Sequence, residues 1–191
     1  MPKLSKHLAN IITITRMLGV CLIFWLTPFK TEFWQLLVIL MFTLVALTDF
    51  LDGWIARKLG TITDVGKVLD PLADKILILV FLPLLEMQVI TAFPVFIILA
   101  REFAIMGLRV VAAKDGNVLP AQFSGKLKTA FTFPLCGILF GRVAVENSEN
   151  LPNLLIPIKW AADWVQTWPD WTMLGLIYLV VAITIWSFLD Y

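Results

Sequence analysis

Apolar positions along the chain gather into six runs, at 11–29, 33–56, 66–85, 92–113, 124–140 and 172–188. Each approaches the roughly 20 residues that a helix needs to cross the hydrocarbon core of a bilayer. None shows the alternation of a half-buried strand, so the pattern predicts an all-α bundle of six membrane-spanning helices in a single domain over 1–191. The longest connection, 142–171, contains Ile156, Trp160, Trp164 and Trp168 at helical spacing, with Lys159 and Asp163 between them. Tryptophan favours the lipid–water boundary. The stretch therefore reads either as a helix lying in the interface or as a loop with a partly buried turn.

Polar positions orient the bundle. Lys3, Lys6, Arg57, Lys58, Lys67, Arg109, Lys114, Lys126 and Lys128 fall on one side of the expected membrane, and Lys30, Arg142 and Lys159 on the other. Basic residues accumulate on the cytoplasmic side, which puts both termini and the charged ends of the second to fifth runs in the cytoplasm. The first run follows Asn10 without a small-residue cleavage site, so it is expected to be a retained helix and not a signal peptide.

Composition agrees. Of 191 residues, 60% are hydrophobic and 15% charged, against about 25% charged in a typical soluble domain. A net charge of +1 leaves no basic surplus to neutralise a nucleic-acid backbone. Cys21 and Cys136 stand alone in apolar runs, and His7 is the single histidine, which excludes zinc spacing and His-rich metal sites.

Against this background the carboxylates are conspicuous. Asp49 and Asp52 are three residues apart, and Asp70 and Asp74 four apart, so each pair shares one helix face. The connection between them is short and carries Gly60, Thr61 and Thr63, which suits a tight reversal that brings the pairs together at one end of a hairpin. An aspartate at the centre of a membrane helix costs roughly 2.5–3.5 kcal/mol. Two carboxylates about 4 Å apart repel by about 4 kcal/mol at an effective dielectric of about 20. Either some are protonated or cations sit among them. Four carboxylates balance two divalent ions, and oxygen-only ligation suits Mg²⁺ or Mn²⁺ acting on a diphosphate. Salt bridges to Arg57, Lys67 and Lys75 are the structural alternative. Gly53 and Ala56 either allow close helix packing or open space for a flat ligand.

Asp49 is followed by Asp52, Gly53, Ala56, Arg57, Gly66, Asp70 and Asp74 at fixed spacing, and this series resembles the defining motif of the CDP-alcohol phosphotransferases. A second set, Arg101, Glu102, Gly107, Arg109, Gly116, Gly125, Lys126 and Lys128, looks like the phosphatidylglycerophosphate synthases within that family, as does the opening with Asn10, Thr13 and Arg16. Ala9 and Cys21 depart from a proline found in many members. The similar regions run from about Asn10 to Thr129, and the last third carries no recognised motif.

The resemblance implies a six-helix membrane fold, a homodimer, and transfer of the phosphatidyl group of CDP-diacylglycerol to sn-glycerol 3-phosphate with release of CMP. It implies Asp49, Asp52, Asp70 and Asp74 as ligands of two Mg²⁺ or Mn²⁺ ions, with Asp74 also the general base. Asp49, Asp52, Gly53, Ala56, Arg57 and Gly66 would border the CDP-diacylglycerol, and Arg101, Arg109, Lys126 and Lys128 would hold the acceptor phosphate. The site would face the cytoplasm of a bacterial membrane. Arg101 and Glu102 read equally well as a buried ion pair. Other acceptors (phosphatidylglycerol, inositol phosphate, serine) fit the same motif. A divalent-cation channel or transporter, or a polyprenyl transferase with paired acidic motifs, are readings from other classes.

Overall fold

The computed structural model of the protein describes residues 2–29, 32–59, 73, 75–114, 116, 122–145 and 156–191. Side chains are described from Thr13 onward in the first helix and as far as Thr48 in the second. Among the described residues the fold is entirely helical: α1 (Pro2–Leu26), α2 (Glu32–Leu59), α3 (Phe81–Glu86), α4 (Ala92–Lys114), α5 (Phe123–Val145), α6 (Ile156–Gln166) and α7 (Asp170–Leu189). At 1.5 Å per residue, the 23 residues of α4 and of α5 extend about 34 Å, enough to cross a core of about 30 Å. Asp170–Leu189 is the described helix that is continuously long and apolar enough to cross unaided; Thr13–Leu26 and Phe33–Thr48 are shorter apolar stretches.

Proline placement accounts for several helix starts. Pro83, Pro94 and Pro157 each lie within the first three residues of α3, α4 and α6, where a missing N–H removes no intrahelical bond. The run 66–85, expected as one span, departs from that expectation. Residues 75–78 are helical, Leu79 and Val80 form a turn, and α3 begins afresh at Phe81. Pro83 has no N–H for the carbonyl of Leu79, which takes the N–H of Leu82 instead at 2.8 Å, so the chain tightens there to bonds over three residues. Pro134 lies inside α5 and leaves the carbonyl of Ala130 without its helical donor.

The helices pack around α5, which touches α2, α3, α6 and α7, while α1 pairs with α2 and α4 with α7. The core joins Val20, Ile23 and Leu26 of α1, Leu36 and Phe42 of α2, Phe81 and Leu84 of α3, Ile98 of α4, and Leu139 and Phe140 of α5. Phe42 and Phe140 meet at 5.6 Å between ring centroids, within the range of favourable aromatic pairs. α1 and α2 approach closely at Gly19, where an added Cβ would lie 2.5 Å from Val45 Cγ2. Overpacking typically costs 1–3 kcal/mol. Gly19→Leu is therefore expected to destabilise the protein by at least about 1–3 kcal/mol, read as a lowered unfolding temperature in detergent; no change would show that this approach does not constrain the pair.

Contacts at both ends set the direction of α7. Ser124, at the start of α5, donates to Asp190 at 2.6 Å, and Arg142, near the end of α5, pairs with Asp170 at the start of α7. The two helices are thus antiparallel. Arg101 and Arg109 of α4 reach Ser187 and Tyr191 in the same order along the chain, so α4 and α7 run parallel. The outer surface is strongly apolar, with Leu18, Trp25, Phe96, Val110 and Leu189 all exposed. An apolar surface of this extent suits contact with lipid. Of the two readings of 142–171, the structure favours the helix: α6 exposes Trp160 and Trp164 and buries Val165.

Candidate active site

The first acid pair is carried by a continuous helix. Asp49 and Asp52 stand three residues apart on α2, with Gly53, Ala56 and Arg57 on the turns that follow before its end at Leu59. That spacing places the two acids on one face. The side chains of these five residues lie outside the description, as do Gly66, Asp70 and Asp74. Among the described residues no group of three or more His, Cys, Asp or Glu side chains gathers. The two-metal site expected on the four aspartates falls outside them. As a donor set, four carboxylates suit hard divalent ions, which take oxygen ligands.

Immediately after Asp74 the description resumes with Lys75, and here a second feature emerges. Lys75 Nζ donates to Glu102 Oε2 at 2.6 Å. Arg101 Nη1 donates to Glu102 Oε1 at 2.9 Å, and Lys128 Nζ pairs with the same oxygen. Three cations from three segments of the chain therefore converge on one carboxylate. Glu102 and Lys128 are buried and Lys75 is partly exposed. One carboxylate does not neutralise three cations, so this group by itself keeps a positive surplus. A cluster of that sign favours anionic ligands.

Arg101 extends the network to the last helix. Its Nη2 donates to Ser187 at 2.6 Å, while its Nε is buried and meets no hydrogen-bond partner. Its guanidinium lies 5.6 Å from the ring centroid of Tyr191, and that of Arg109 lies 5.4 Å from the same ring. Gly125, in the first turn of α5, faces this group: an added Cβ would lie 3.6 Å from Arg101 Nη2 and 3.8 Å from the Tyr191 hydroxyl.

Of the four residues expected to bind the acceptor phosphate, Arg101 and Arg109 thus come together around Tyr191. Lys126 is exposed on the first turn of α5. Lys128 departs from a freely reaching cation, since its ammonium is engaged by Glu102 inside the bundle. The reading of Arg101 and Glu102 as a buried ion pair holds, and that pair sits within the cationic cluster. Lys75, Ser187 and Tyr191 carry no site signal in the sequence and join the cluster only through the fold. Ser187 lies in the last turn of α7 and Tyr191 two residues beyond its end at Leu189, polar positions that close an otherwise apolar helix.

A model of the CDP-alcohol phosphatidyltransferase family matches residues 6–186. A CDP-diacylglycerol–glycerol-3-phosphate 3-phosphatidyltransferase of Rickettsia bellii is 38% identical over 128 residues, covering 66% of this chain and 71% of that protein. The protein of the same name from Bacillus subtilis is 45% identical over 91 residues, 47% of each chain. A CMP-forming cardiolipin synthase of Streptomyces coelicolor is 30% identical over 184 residues, covering 90% of this chain and 80% of that one.

Proposed function

The chain belongs to the CDP-alcohol phosphatidyltransferase family, and from that premise we propose that it transfers the phosphatidyl group of CDP-diacylglycerol to sn-glycerol 3-phosphate, releasing CMP. It is a transferase of phospholipid biosynthesis in a family of membrane enzymes, and several relatives bear the name of this activity. The observation that supports the acceptor is the ion pair of Lys75 with Glu102. The aspartate motif runs directly into Lys75, so its end lies beside a cluster with surplus positive charge. An acceptor that carries its own phosphate needs such a cluster as it approaches an anionic donor.

In this proposal Asp49, Asp52, Asp70 and Asp74 hold two divalent ions, Mg²⁺ or Mn²⁺. Bound there, such ions neutralise the diphosphate and stabilise the departing CMP. Gly53 and Ala56 leave room for the cytidine, with Arg57 and Gly66 at its border. Asp74 takes the proton of the acceptor's 1-hydroxyl as that oxygen bonds to the β-phosphorus. The bond from that phosphorus to the CMP oxygen breaks, and CMP leaves with the electron pair. Position governs a general base before basicity does. Arg101, Arg109 and Lys126 hold the acceptor phosphate, and Lys128 contributes through Glu102. Six membrane helices in one domain, cytoplasmic ends for α2, α4 and α7, α6 in the interface and a homodimer complete the proposal.

A panel of acceptors tests it. Purified protein with CDP-diacylglycerol and Mg²⁺ is expected to release CMP with glycerol 3-phosphate and to form phosphatidylglycerophosphate. The Streptomyces relative supports one alternative, phosphatidylglycerol as acceptor. Turnover with phosphatidylglycerol or inositol phosphate, and none with glycerol 3-phosphate, would contradict the acceptor.

A further inference from the structure

Tyr191 lies where α4, α5 and α7 meet, and its surroundings are built from donors. Arg109 Nη2 donates to the tyrosine hydroxyl, and so does the backbone N–H of Gln122 at 3.3 Å. Gln122 directly precedes α5, so its N–H belongs to the unpaired donors at that helix's start. A phenol oxygen accepts hydrogen bonds and donates a single proton. With both N–H groups pointing into the oxygen, the tyrosine's proton is left for an acceptor outside the network. The ring also has the guanidiniums of Arg101 and Arg109 against it at 5.6 and 5.4 Å, the range of cation–π attraction. Arg101 is held by Glu102 and Ser187, whereas Arg109 is exposed on its helix. Tyr191 therefore fixes a long, flexible side chain beside a buried one.

Two further observations point to an anion here. Arg101 Nε is buried and has no hydrogen-bond partner, a condition that native proteins rarely leave unmet. Gly125 contributes no side chain on the side facing Arg101 Nη2 and the tyrosine hydroxyl. Among the described residues, the acid that joins α7 to α5 at this end is Asp190, which accepts from Ser124 at 2.6 Å. The group around the tyrosine thus presents two guanidiniums and a hydroxyl proton.

Resting on the reading of the acceptor given above, we propose that Tyr191 determines specificity for a phosphate-bearing acceptor. Its ring sets the Arg101 and Arg109 guanidiniums, and its hydroxyl donates to a phosphate oxygen. Tyr191 takes no part in the chemical step, so its removal acts on acceptor affinity and not on turnover.

Steady-state kinetics on the purified full chain, with CDP-diacylglycerol in mixed micelles and glycerol 3-phosphate varied, test this with Tyr191→Phe, Tyr191→Leu and Arg109→Ala. Tyr191→Phe keeps the ring and is expected to raise KM for glycerol 3-phosphate about ten- to hundred-fold, the loss of one hydrogen bond to a charged group. Its kcat and its KM for CDP-diacylglycerol stay within about two-fold, as expected for a contact made equally in ground and transition states. Inorganic phosphate, as a competitive inhibitor, weakens in parallel. Tyr191→Leu also removes the brace and is expected to approach the larger effect of Arg109→Ala. An unchanged KM in Tyr191→Phe, with KM raised in Arg109→Ala, overturns the role of Tyr191 and leaves the acceptor reading intact. A lowered KM in Tyr191→Phe overturns it too, because the hydroxyl would then compete with the phosphate. An unchanged KM in Arg109→Ala overturns the placement of the acceptor phosphate at Arg109, and with it the role of Tyr191, while turnover with glycerol 3-phosphate still supports the acceptor. Tyr191→Phe removes one oxygen atom, and its unfolding temperature is expected to match the parent's.

Discussion

Asp74→Asn is expected to lower CMP release by about 10²–10⁴-fold, the usual contribution of a positioned general base, and added metal is not expected to restore it. Asp74 follows Asp70 by four residues and directly precedes Lys75, which is tied to Glu102 and hence to the cationic cluster. In the proposed mechanism Asp74 joins the aspartate motif to the chain segment that enters the cationic cluster, and it removes the hydroxyl proton there. Asparagine keeps the size of the side chain and an oxygen ligand but cannot hold a proton. Asp52→Asn removes a ligand charge without removing the base, so its loss is expected to be partly recovered at higher Mg²⁺. Initial rates of CMP release across a range of Mg²⁺ concentrations distinguish the two. Recovery of Asp74→Asn to near-parental rates at high Mg²⁺ would show that Asp74 serves only as a ligand.

The second large effect is structural. Glu102→Gln is expected to destabilise the protein by about 3–5 kcal/mol, the range for removing one partner of a buried ion pair. Lys75, Arg101 and Lys128 all donate to this one carboxylate. Glutamine fills the same space but returns no charge, so Lys128 and Arg101 would remain buried with like-charged neighbours. For a chain of this size each kcal/mol corresponds to about 2–4 °C in unfolding temperature, so a fall of about 6–20 °C in detergent is expected. Lys128→Met removes one cation and leaves Glu102 with two partners; its loss is expected to be smaller. Equal unfolding temperatures for Glu102→Gln and the parent would show that the cluster does not hold the bundle together.

The parts of this protein that depend on periodicity were legible in the sequence. Apolar runs gave α1, α2, α4, α5 and α7 with shifts of a few residues at most ends, α1 starting earlier, because a membrane helix has to satisfy its backbone internally and stay apolar along its length. The spacing of Asp49 and Asp52 placed them on one face because α2 is continuous through Leu59. The third run reads as one span, and the new first turn at Phe81, with Pro83 as its third residue, lies outside that reading, since apolar periodicity does not register a proline. What periodicity does not carry is the pairing of distant segments. Glu102 reads as the partner of Arg101, its neighbour, yet it also holds Lys75 and Lys128, 27 and 26 residues away. Tyr191 and Arg109 are separated by 82 residues, and their meeting depends on α4 and α7 running side by side in the same direction. Lys128 illustrates the consequence: as a basic residue near the cytoplasmic boundary it reads as a phosphate ligand, and in the fold, where α4 and α5 both pack on α7, its ammonium pairs with Glu102.

The most direct measurement follows radiolabelled glycerol 3-phosphate in vesicles that contain the purified protein and CDP-diacylglycerol. The account predicts that label enters the lipid phase in step with CMP, one for one, and that both stop when Mg²⁺ and Mn²⁺ are chelated. Label that stays in the aqueous phase while CMP is released, or lipid labelling that needs no CDP-diacylglycerol, would contradict it.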